Sequence, residues 1–365
     1  MVRPEVSDRY IVVDFETPRH VLTTAHPKGL VVSSRVAIYR VSEGDDLSKP
    51  EDFKEAVRSE LGLDRDDPVM LTAADLRDYR YVRSEGEGVI ATVGLSNPAC
   101  HNMHGGYTPL RPSTINVVAW TSEKLTVSGM LDLFRVISEA KAAAASDLLL
   151  RCEGRATGTV SDAVAVASFL DDNGYLWAGQ ATSLGSRLAS MTYQAITARP
   201  PTPEEMLVRA LGMGVEDLVE DAMKLYEKAP VPGYPPQVVR PMVLDEIRRE
   251  LRDPNVVAFL IAARELDIHG ASGTIPGVTA EEFSSDTKKV IADELLATSL
   301  SLYINGFKAL TATYWSDTLK EKLGLRLSSL PMFEDDIASA LAASALSRVY
   351  DRLLQEVDER RSRQQ

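Results

Sequence analysis

Residues with nucleophilic and basic side chains occur early in residues 94–168 of this chain of 365 residues. Asn97, Cys100, His101 and His104 lie in a polar turn that follows an apolar run. A thiolate beside an imidazole suits attack on a carbonyl carbon, so Cys100 and His101 are candidates for acyl-transfer chemistry. The alternatives are a buried cysteine without a chemical role, a Zn²⁺ site that includes His104, and water as the attacking group. The negative net charge does not favour a thiolate, which makes water the preferred interpretation.

Further polar residues follow in and beside apolar or alanine-rich runs of the same segment. They are Asn116, Glu139, Lys141, Thr157, Thr159 and Asp162. Such groups on a rigid scaffold are well placed to contact a ligand. The alternative is local structure, since Asn, Thr and Asp often stabilise turns and Glu139 can pair with Arg135 four residues earlier. Lys141 falls on the core-facing side of its helix, where it needs an ion-pair partner or a route to solvent.

Most of these residues belong to four short motifs, which follow one another along the chain. They are Ser96-Asn97-Pro98, Thr114-Ile115-Asn116, Glu139-Ala140-Lys141, and Thr157-Gly158-Thr159 with Asp162. This order resembles the adenosylcobinamide amidohydrolases of archaeal cobamide salvage, which hydrolyse the amide between a corrinoid propionate and aminopropanol. The resemblance implies adenosylcobinamide as substrate, adenosylcobyric acid as product, and no assigned cofactor. It implies catalytic roles for Asn97, Cys100, His101, Thr157 and Asp162, and substrate-binding roles for Asn116, Glu139, Lys141 and Thr159.

Acidic residues recur at unusual positions in the helical second half of the chain. They are Glu265, Asp267, Asp293, Glu294, Asp317, Asp335 and Asp336, with Lys320 three residues after Asp317. Glu265 and Asp267 are expected to end an apolar helix, where a carboxylate opposes the helix dipole and needs a cation or donor. Clustered carboxylates suit Mg²⁺, and Lys320 can hold a phosphate. The alternative for each carboxylate is a solvated charge or a favourable contact with a helix N-terminus.

The order of the acidic motifs resembles the phosphatidylglycerophosphatase A family, in particular its soluble branch, which includes archaeal α-ribazole-phosphate phosphatases. The resemblance spans about residues 202–350 and implies Mg²⁺-dependent conversion of α-ribazole 5′-phosphate to α-ribazole. It implies metal ligation by Asp293, Glu294, Asp335 and Asp336, more weakly by Glu265 and Asp317, and a catalytic role for Lys320. Together the two resemblances imply a bifunctional cobamide salvage hydrolase. The alternative is a phosphatidylglycerophosphate-type phosphatase joined to a non-catalytic corrinoid-binding module.

Composition limits the partners and the environment of the protein. A net charge of −13 argues against nucleic acid and anionic membrane surfaces, because both are negatively charged. No apolar run is long enough to span a membrane, and the first residues lack an apolar signal core. With two cysteines, Cys100 and Cys152, free thiols in a reducing cytoplasm are the simpler expectation. We therefore expect a cytoplasmic protein that acts on small molecules; its oligomeric state is left open.

The periodicity predicts how these residues are positioned. Strands are expected at residues 10–15, 21–24, 29–41, 89–93 and 115–120, with one short helix within residues 51–67. A helix is expected from Thr126 to near Leu150, and an apolar run follows at residues 163–169. This pattern and the chain length predict two domains. The first is a mixed α/β (α+β) domain at residues 1–199.

The second predicted domain is an all-α helical bundle at residues 200–365. Prolines around Thr202 mark a linker, and Thr202 with Glu205 forms a capping box at the next helix. Helices are expected at residues 204–211, 215–228, 243–252, 255–267, 280–304, 318–323 and 333–361. The helix at 255–267 is apolar almost all round, which predicts a central buried helix. In the last helix one stripe is apolar at every fourth position, namely Ile337, Leu341, Ala345, Val349 and Leu353.

Overall fold

The chain divides into two compact units, Met1–Pro200 and Pro201–Gln365. The computed structural model describes residues 2–42, 44–102, 114–285 and 287–364. The first unit combines strands and helices, whereas every described element of the second unit is a helix. A mixed α/β region followed by a helical region is therefore confirmed. In the residue ranges that are described, no helix is long and apolar enough to cross a membrane.

The first unit is built on strands, with helices packed beside them. The described strands are β1 (Arg3–Val6), β2 (Tyr10–Thr23), β3 (Gly29–Arg40), β4 (Val69–Thr72), β5 (Arg80–Ser84), β6 (Glu87–Val93), β7 (Pro98–Cys100), β8 (Ile115–Leu125), β9 (Ala156–Thr159) and β10 (Ala163–Leu170). The described helices are α1 (Pro50–Leu61), α2 (Val127–Asp147) and α3 (Ser183–Thr197), with a 3-10 turn at Leu76–Asp78.

The main sheet is mixed, with strand order β4-β3-β2-β10-β8-β6-β5 and β1 paired to β2. β8 and β10 are parallel neighbours in which Asn116 is the register partner of Ala163. Helix α2 lies between these two strands in sequence, the usual connection of a parallel pair. The starts of β8 and β10 consequently lie side by side at one edge of the sheet. β7 and β9 form a separate two-stranded sheet.

Both faces of the main sheet are buried by apolar side chains. Leu133 of α2 and Leu188 of α3 pack with Val117 on one face, whereas Val118 and Trp120 belong to the cluster on the opposite face. Successive strand residues point to opposite faces, which explains this alternation. Burial of each large apolar side chain contributes roughly 1.5–3 kcal/mol. The sheet is thus a rigid support for the polar residues at its edge.

Several sequence predictions for this unit are confirmed. The strands expected at residues 29–41 and 89–93 correspond to β3 and β6, and the helix expected within residues 51–67 is α1. The helix expected from Thr126 is α2, which has Thr126 as its N-cap; the Thr126 side chain accepts a hydrogen bond from the N–H of Gly129. The apolar run that follows is β10.

Two features of the first unit differ from the prediction. The strands expected at residues 10–15 and 21–24 are one strand, β2, because a bulge between Asp14 and Arg19 lets the chain resume pairing with β3. Helix α3 is not expected from the sequence pattern. Its N-terminal half contains serine and glycine, which have low helix propensity, and packing of Leu188 into the core outweighs that preference.

The second unit consists of helices around the last one. The described helices are α4 (Pro203–Leu211), α5 (Val215–Tyr226), α6 (Pro236–Leu251), α7 (Pro254–Ala271), α8 (Ala280–Ser284), α9 (Ala292–Leu319) and α10 (Met332–Gln364), with a 3-10 turn at Arg326–Ser329. The predicted stripe of α10 is fully buried at all five positions, Ile337, Leu341, Ala345, Val349 and Leu353. The capping box at α4 is also confirmed, since Thr202 and Glu205 each accept the other's backbone N–H.

Three helix predictions in this unit are wrong. The helix expected at residues 280–304 is divided into α8 and α9, and the helix expected at 318–323 is absent because α9 ends at Leu319. Within α9 the helical backbone is interrupted at Asn305 and Gly306, and the φ of Gly306 is 63°, a conformation that favours glycine. The third concerns the helix at 255–267, which was expected to be buried all round. Helix α7 continues to Ala271 and buries one face only, since Ala258 on the other face is exposed.

Glu250 of α6 is a buried carboxylate that makes the stability of the helical unit depend on pH. Its Oε1 lies 3.5 Å from the Nε of Arg348 on α10. Burial raises the pKa of Glu250 to about 7, although Arg348 and Arg249 lower it. The folded state therefore binds the proton more tightly than the unfolded chain. The stabilisation that comes from the protonated Glu250 carboxyl is complete below the pKa that Glu250 has in the unfolded chain. It is lost as the pH rises through about 7.

We expect Glu250→Gln, which cannot ionise, to raise the free energy of unfolding at about pH 8 by on the order of 3 kcal/mol. The same substitution should change stability little at about pH 4, where the wild-type carboxyl is protonated when folded. Urea unfolding of both chains at the two pH values measures the difference. Equal stability of the two chains at the higher pH would contradict this assignment.

Candidate functional site

The two predicted turns of the first unit lie side by side. β7 and β9 pair antiparallel, with Pro98 opposite Thr159 and Ala99 opposite Gly158. At the end of this pair the N–H of Val160 donates to the Asn97 carbonyl at 3.0 Å. The side chain of Thr157 is exposed, and its hydroxyl lies 3.4 Å from the carbonyl oxygen of Ala99. Segments that are far apart in sequence thus form one polar corner.

Asp162 connects this corner to the main sheet. Its Oδ1 accepts the N–H of Ile115 at 2.9 Å, and its Oδ2 accepts the N–H of Thr159 at 3.0 Å. The Thr159 hydroxyl donates to Oδ1, and the Lys141 ammonium pairs with Oδ2. Each carboxylate oxygen therefore accepts two hydrogen bonds, which uses the acceptor sites of an ionised carboxylate. This geometry makes Asp162 an anchor for the starts of β8 and β10 rather than a free base.

Lys141 brings helix α2 into the same network. Besides its ion pair with Asp162, the ammonium donates to the Thr157 carbonyl at 3.1 Å. The two side chains of the ion pair are 13% and 10% exposed, so the pair is largely shielded from solvent. The expectation that a lysine on this helix face needs a partner is confirmed. Breaking such a shielded pair leaves one uncompensated charge.

Gly158 is required where β9 passes the Asp162–Lys141 ion pair. A Cβ atom at this position would overlap both the Asp162 carboxylate and the Lys141 ammonium. We expect Gly158→Ala to displace the pair and to lower the rate of the site's reaction by about 100-fold, because a small misplacement of a site has such an effect. Gly44→Ala is the matched control, since a Cβ there has nothing within 4 Å. Equal turnover of the two variants would contradict this role of Gly158.

Asn116 lies at the start of β8 and is fully buried. Its Nδ2 donates to the Leu71 carbonyl at 3.1 Å, and the Thr114 hydroxyl donates to the same oxygen at 3.2 Å. Thr92 of β6 is the register partner of Asn116. A threonine within a strand carries no sequence signal that predicts this position beside Asn116. The Thr114-Ile115-Asn116 motif therefore joins the start of β8 to β4.

Glu139 and His101 lie at the margin of the network. Glu139 is exposed and pairs with Arg135 at 2.7 Å, the local partner that the spacing suggests. His101 is exposed just after the end of β7, where its backbone N–H donates to the Arg155 carbonyl at 3.4 Å. His104 lies outside the described residues. The structure thus brings Lys141, Thr157, Thr159 and Asp162 together, and Glu139 is directed elsewhere.

Cys100 forms a disulfide with Cys152. This pairing corrects the expectation of two free thiols. The bond joins the end of β7 to the connection between α2 and β9, next to the polar corner. A disulfide sulfur is neither a thiolate nucleophile nor a Zn²⁺ ligand, so Cys100 can serve in those roles only when the bond is reduced. The arrangement therefore favours water as the attacking group.

In the second unit, three of the acidic residues that were predicted to form a site lie around Lys320, near the start of α10. The Lys320 ammonium lies 2.7 Å from Asp317, 2.5 Å from Asp335 and 3.9 Å from Asp336. Burial by itself lowers the pKa of Lys320, but its bonds to Asp317 and Asp335 outweigh that effect and raise it. Burial raises the pKa of Asp336 to about 7; Lys320 opposes this increase, whereas the neighbouring charges of Asp335, Asp293 and Asp317 add to it.

The other predicted acidic residues have different surroundings. Asp267 accepts the backbone N–H groups of Phe333 at 3.0 Å and Glu334 at 2.8 Å, so it caps the N-terminus of α10. Its need for a compensating donor is confirmed. Asp293 is buried, whereas Glu294 is exposed and Glu265 on α7 is partly buried. Asp267 therefore has a structural partner that its position in sequence does not reveal.

The donor chemistry of this cluster fits Mg²⁺. Asp293, Asp317, Asp335 and Asp336 carry carboxylate oxygens, the type of ligand that Mg²⁺ prefers, and a divalent cation would relieve the repulsion between their charges. Lys320 supplies the compensating positive charge in this structure. In the described ranges no group of three or more His, Cys, Asp or Glu side chains is already arranged to hold a metal ion. Binding of Mg²⁺ would therefore require these side chains to rearrange.

Comparison with known proteins identifies a family for the first unit. The adenosylcobinamide amidohydrolase family matches residues 2–199. A curated adenosylcobinamide amidohydrolase of Halobacterium salinarum is 35% identical over an alignment of 171 residues, which covers 44% of this chain and 71% of that protein. The family match covers all the motif residues of the polar corner.

Two crystal structures show weaker similarity. Protein ypjQ of Bacillus subtilis is 22% identical, with coverage of 42% of this chain and 94% of that chain and a TM-score of 0.35. The low temperature requirement C protein of Listeria monocytogenes is 24% identical, with coverage of 41% and 94% and a TM-score of 0.34. At these scores neither similarity supports a conclusion about this chain.

Proposed function

The chain belongs, through residues 2–199, to the adenosylcobinamide amidohydrolase family, and from this premise we propose that its first unit hydrolyses adenosylcobinamide. Water adds to the carbonyl carbon of the amide between the corrinoid propionate and aminopropanol. The C–N bond then breaks, the nitrogen takes a proton, and adenosylcobyric acid and aminopropanol leave. The observation that carries this proposal is that Asp162 joins three of the four motifs, through Ile115, Lys141 and Thr159, into one polar corner.

Lys141 is the group that we assign to stabilising the oxyanion. An attacked amide carbonyl accumulates negative charge on its oxygen, and a fixed cation nearby lowers the barrier. Two protons of the Lys141 ammonium are directed to Thr157 and Asp162. The third has no acceptor among the described residues and is available for a substrate oxygen. Asp162 and Thr159 hold the ammonium in place, which makes them positioning residues.

The test is incubation of the full chain with adenosylcobinamide, followed by chromatography of the corrinoid and detection of released aminopropanol. The proposal expects both products in equal amounts. Recovery of intact adenosylcobinamide bound to the protein would instead support a non-catalytic corrinoid-binding module. Recovery of unbound, intact substrate would reject both functions.

For the second unit we propose a separate domain, residues 200–365, that releases phosphate from α-ribazole 5′-phosphate with the help of Mg²⁺. The support is the order of its acidic motifs and the crowding of carboxylates around Lys320. Asp293, Asp335 and Asp336 would hold the ion, with Glu265, Glu294 and Asp317 as outer candidates. Bound Mg²⁺ would complete its coordination with phosphate oxygens. Lys320 would exchange its contact with Asp335 for one with the phosphate.

We expect Asp335→Asn to abolish Mg²⁺-dependent phosphate release and to leave amide hydrolysis unchanged, because each domain carries its own site. Glu359→Gln is the control, since Glu359 lies on the same helix and is an exposed partner of Arg363. Phosphate release from α-ribazole 5′-phosphate is measured with and without Mg²⁺. Normal release by the Asp335 variant would reject this assignment, and release from phosphatidylglycerophosphate alone would indicate the lipid-type phosphatase.

A further inference from the structure

Two buried oxygen atoms lie side by side near the edge of the sheet where β8 begins. They are the Oδ1 of Asn116 and the Oγ1 of Thr92, and in the part of the chain that the structure describes neither has a hydrogen-bond partner. Asn116 is 0% and Thr92 1% exposed, so solvent does not satisfy these oxygens either. A buried polar group without a partner destabilises a protein, and its presence in a native structure needs an explanation. A role in binding or catalysis is such an explanation.

The two side chains are direct neighbours, and one of them has a fixed orientation. Thr92 of β6 and Asn116 of β8 are register partners in an antiparallel pair, which places their Cβ atoms about 5 Å apart. The Nδ2 of Asn116 donates to the Leu71 carbonyl at 3.1 Å, and this bond sets the direction of Oδ1. Oδ1 can only accept a hydrogen bond, whereas the Thr92 hydroxyl can donate one. The pair therefore combines a fixed acceptor with a donor.

The pair lies beside the polar corner. Ile115, which precedes Asn116, donates its N–H to Asp162 at 2.9 Å. Ala163, which follows Asp162, is the register partner of Asn116 on β10. Paired strands are about 4.8 Å apart. Asn116 is therefore one strand spacing away from the residue that follows the anchor of the corner.

Lys141 and Asn116 approach this edge of the sheet from opposite faces. Side chains alternate between the two faces along a strand, so Asn116 shares the face of Val118 and not that of Val117. Lys141 belongs to α2, which packs on the face of Val117. In a trans amide the carbonyl oxygen and the N–H point in opposite directions. A cation on one face and an acceptor on the other match these two ends of an amide.

We propose that Asn116 and Thr92 bind the nitrogen side of the amide that is cleaved, a role that rests on the proposed hydrolysis of adenosylcobinamide. The Oδ1 of Asn116 accepts the N–H of this amide while Lys141 contacts its carbonyl oxygen. Both oxygens of the pair are closed to solvent in this structure, so the substrate displaces the side chains that cover them and supplies the missing hydrogen bonds. The carboxylate of the product has no N–H to offer to Oδ1, which favours its release.

Thr92 acts after the water has added. The nitrogen of an amide is a poor acceptor, because its lone pair is delocalised into the carbonyl group. Once water has added to the carbon, this lone pair is localised on the nitrogen and accepts a hydrogen bond from the Thr92 hydroxyl. The nitrogen leaves with the proton that the attacking water gives up, so no other acid is consumed. A hydrogen bond made only in the transition state raises kcat and leaves KM unchanged.

Steady-state kinetics of the full chain with adenosylcobinamide test these two roles. We expect Thr92→Val to lower kcat about 100-fold with KM unchanged, and Thr92→Ser to restore most of the rate. Asn116→Leu should raise KM, because the N–H is bound both before and during the reaction. Ser168→Ala is the matched control and should keep wild-type turnover. Ser168 lies towards the other end of β10, and its buried hydroxyl also has no hydrogen-bond partner in the described ranges.

Urea unfolding separates this role from a structural one. Loss of an unpartnered hydroxyl should not lower the free energy of unfolding, so Thr92→Val should be at least as stable as the wild-type chain while it turns over more slowly. A slow Thr92→Val that is also less stable would overturn the proposal in favour of a structural role. If Asn116→Leu does not fold, Thr92→Val decides the test.

The remaining outcomes distinguish this inference from the proposed function. Hydrolysis by the wild-type chain together with a normal kcat in Thr92→Val would reject the role of the pair and leave the amidohydrolase activity in place. Absence of hydrolysis by the wild-type chain would reject the proposed function and this inference with it.

Discussion

Asp162→Asn is expected to lower the turnover of adenosylcobinamide by at least about 100-fold and to destabilise the first unit by about 3–5 kcal/mol. Asp162 accepts hydrogen bonds from Ile115 and Thr159 and pairs with Lys141. An amide in its place has one acceptor atom instead of two, and it leaves the shielded Lys141 ammonium without a counter-charge. The start of β8 and the loop before β10 lose their common anchor at the same time.

Steady-state kinetics and urea unfolding of the purified variant measure these two effects. Lys124→Met is the control, because Lys124 pairs with Asp171 at 2.8 Å in an exposed ion pair of the same unit. Exposed pairs contribute little to stability, so this variant should resemble the wild-type chain. An Asp162 variant with normal turnover would show that the corner does not position the reaction.

Removal of the disulfide has the second large expected effect, and it acts on stability rather than on chemistry. Cys100 and Cys152 are 52 residues apart in sequence, and their Cα atoms are separated by 6.3 Å. A cross-link across a loop of this length stabilises the folded state by about 4 kcal/mol in the chain-entropy model. We expect the double variant Cys100→Ser/Cys152→Ser to unfold at a lower urea concentration but to keep near-normal turnover at low temperature.

The two single variants distinguish this expectation from thiol chemistry. If a Cys100 thiolate attacked the amide, Cys152→Ser would free that thiol and raise activity, whereas Cys100→Ser would abolish it. With water as the attacking group, both variants should lose similar stability and keep similar turnover. Turnover per folded molecule, measured under oxidising and reducing conditions, separates the outcomes. Activity that depends on Cys100 alone would contradict the water mechanism.

The elements that position the site were largely predictable from local patterns. β-branched runs predict β3 and β6 because strand residues must fill both sides of a buried sheet. The capping signals at Thr126 and Thr202 predict where α2 and α4 begin, because each threonine satisfies a backbone N–H of the first turn. Both kinds of signal depend on neighbours in sequence. Strands and helix starts can therefore be predicted without knowledge of the tertiary structure.

The contacts within the site depend on distant residues and were less predictable. The Lys141–Asp162 ion pair follows from the register of β8 and β10, which no local pattern specifies. The same reason explains why the donor that Asp267 needs could not be named from the sequence: it is the backbone at the N-terminus of α10. Two cysteines carry no information about whether they meet, so the disulfide of Cys100 was not expected.

The division of α9 and the break within it show a similar limit. The sequence of α9 is apolar on both sides of Asn305, and a single glycine in a helix pattern is usually tolerated. The break becomes evident only when Arg348 of α10 is seen to bind the Ile304 carbonyl that the interruption releases. Tertiary hydrogen bonds therefore decide the shape of this helix.

The most direct test of the central claim is hydrolysis of adenosylcobinamide by the full chain in water enriched in ¹⁸O, with mass spectrometry of the corrinoid product. The account predicts adenosylcobyric acid that carries one ¹⁸O atom in its new carboxylate, together with unlabelled aminopropanol, and a loss of both products in the Asp162 variant. Unchanged adenosylcobinamide, or an ¹⁸O-free acid, would contradict hydrolysis by water at this site.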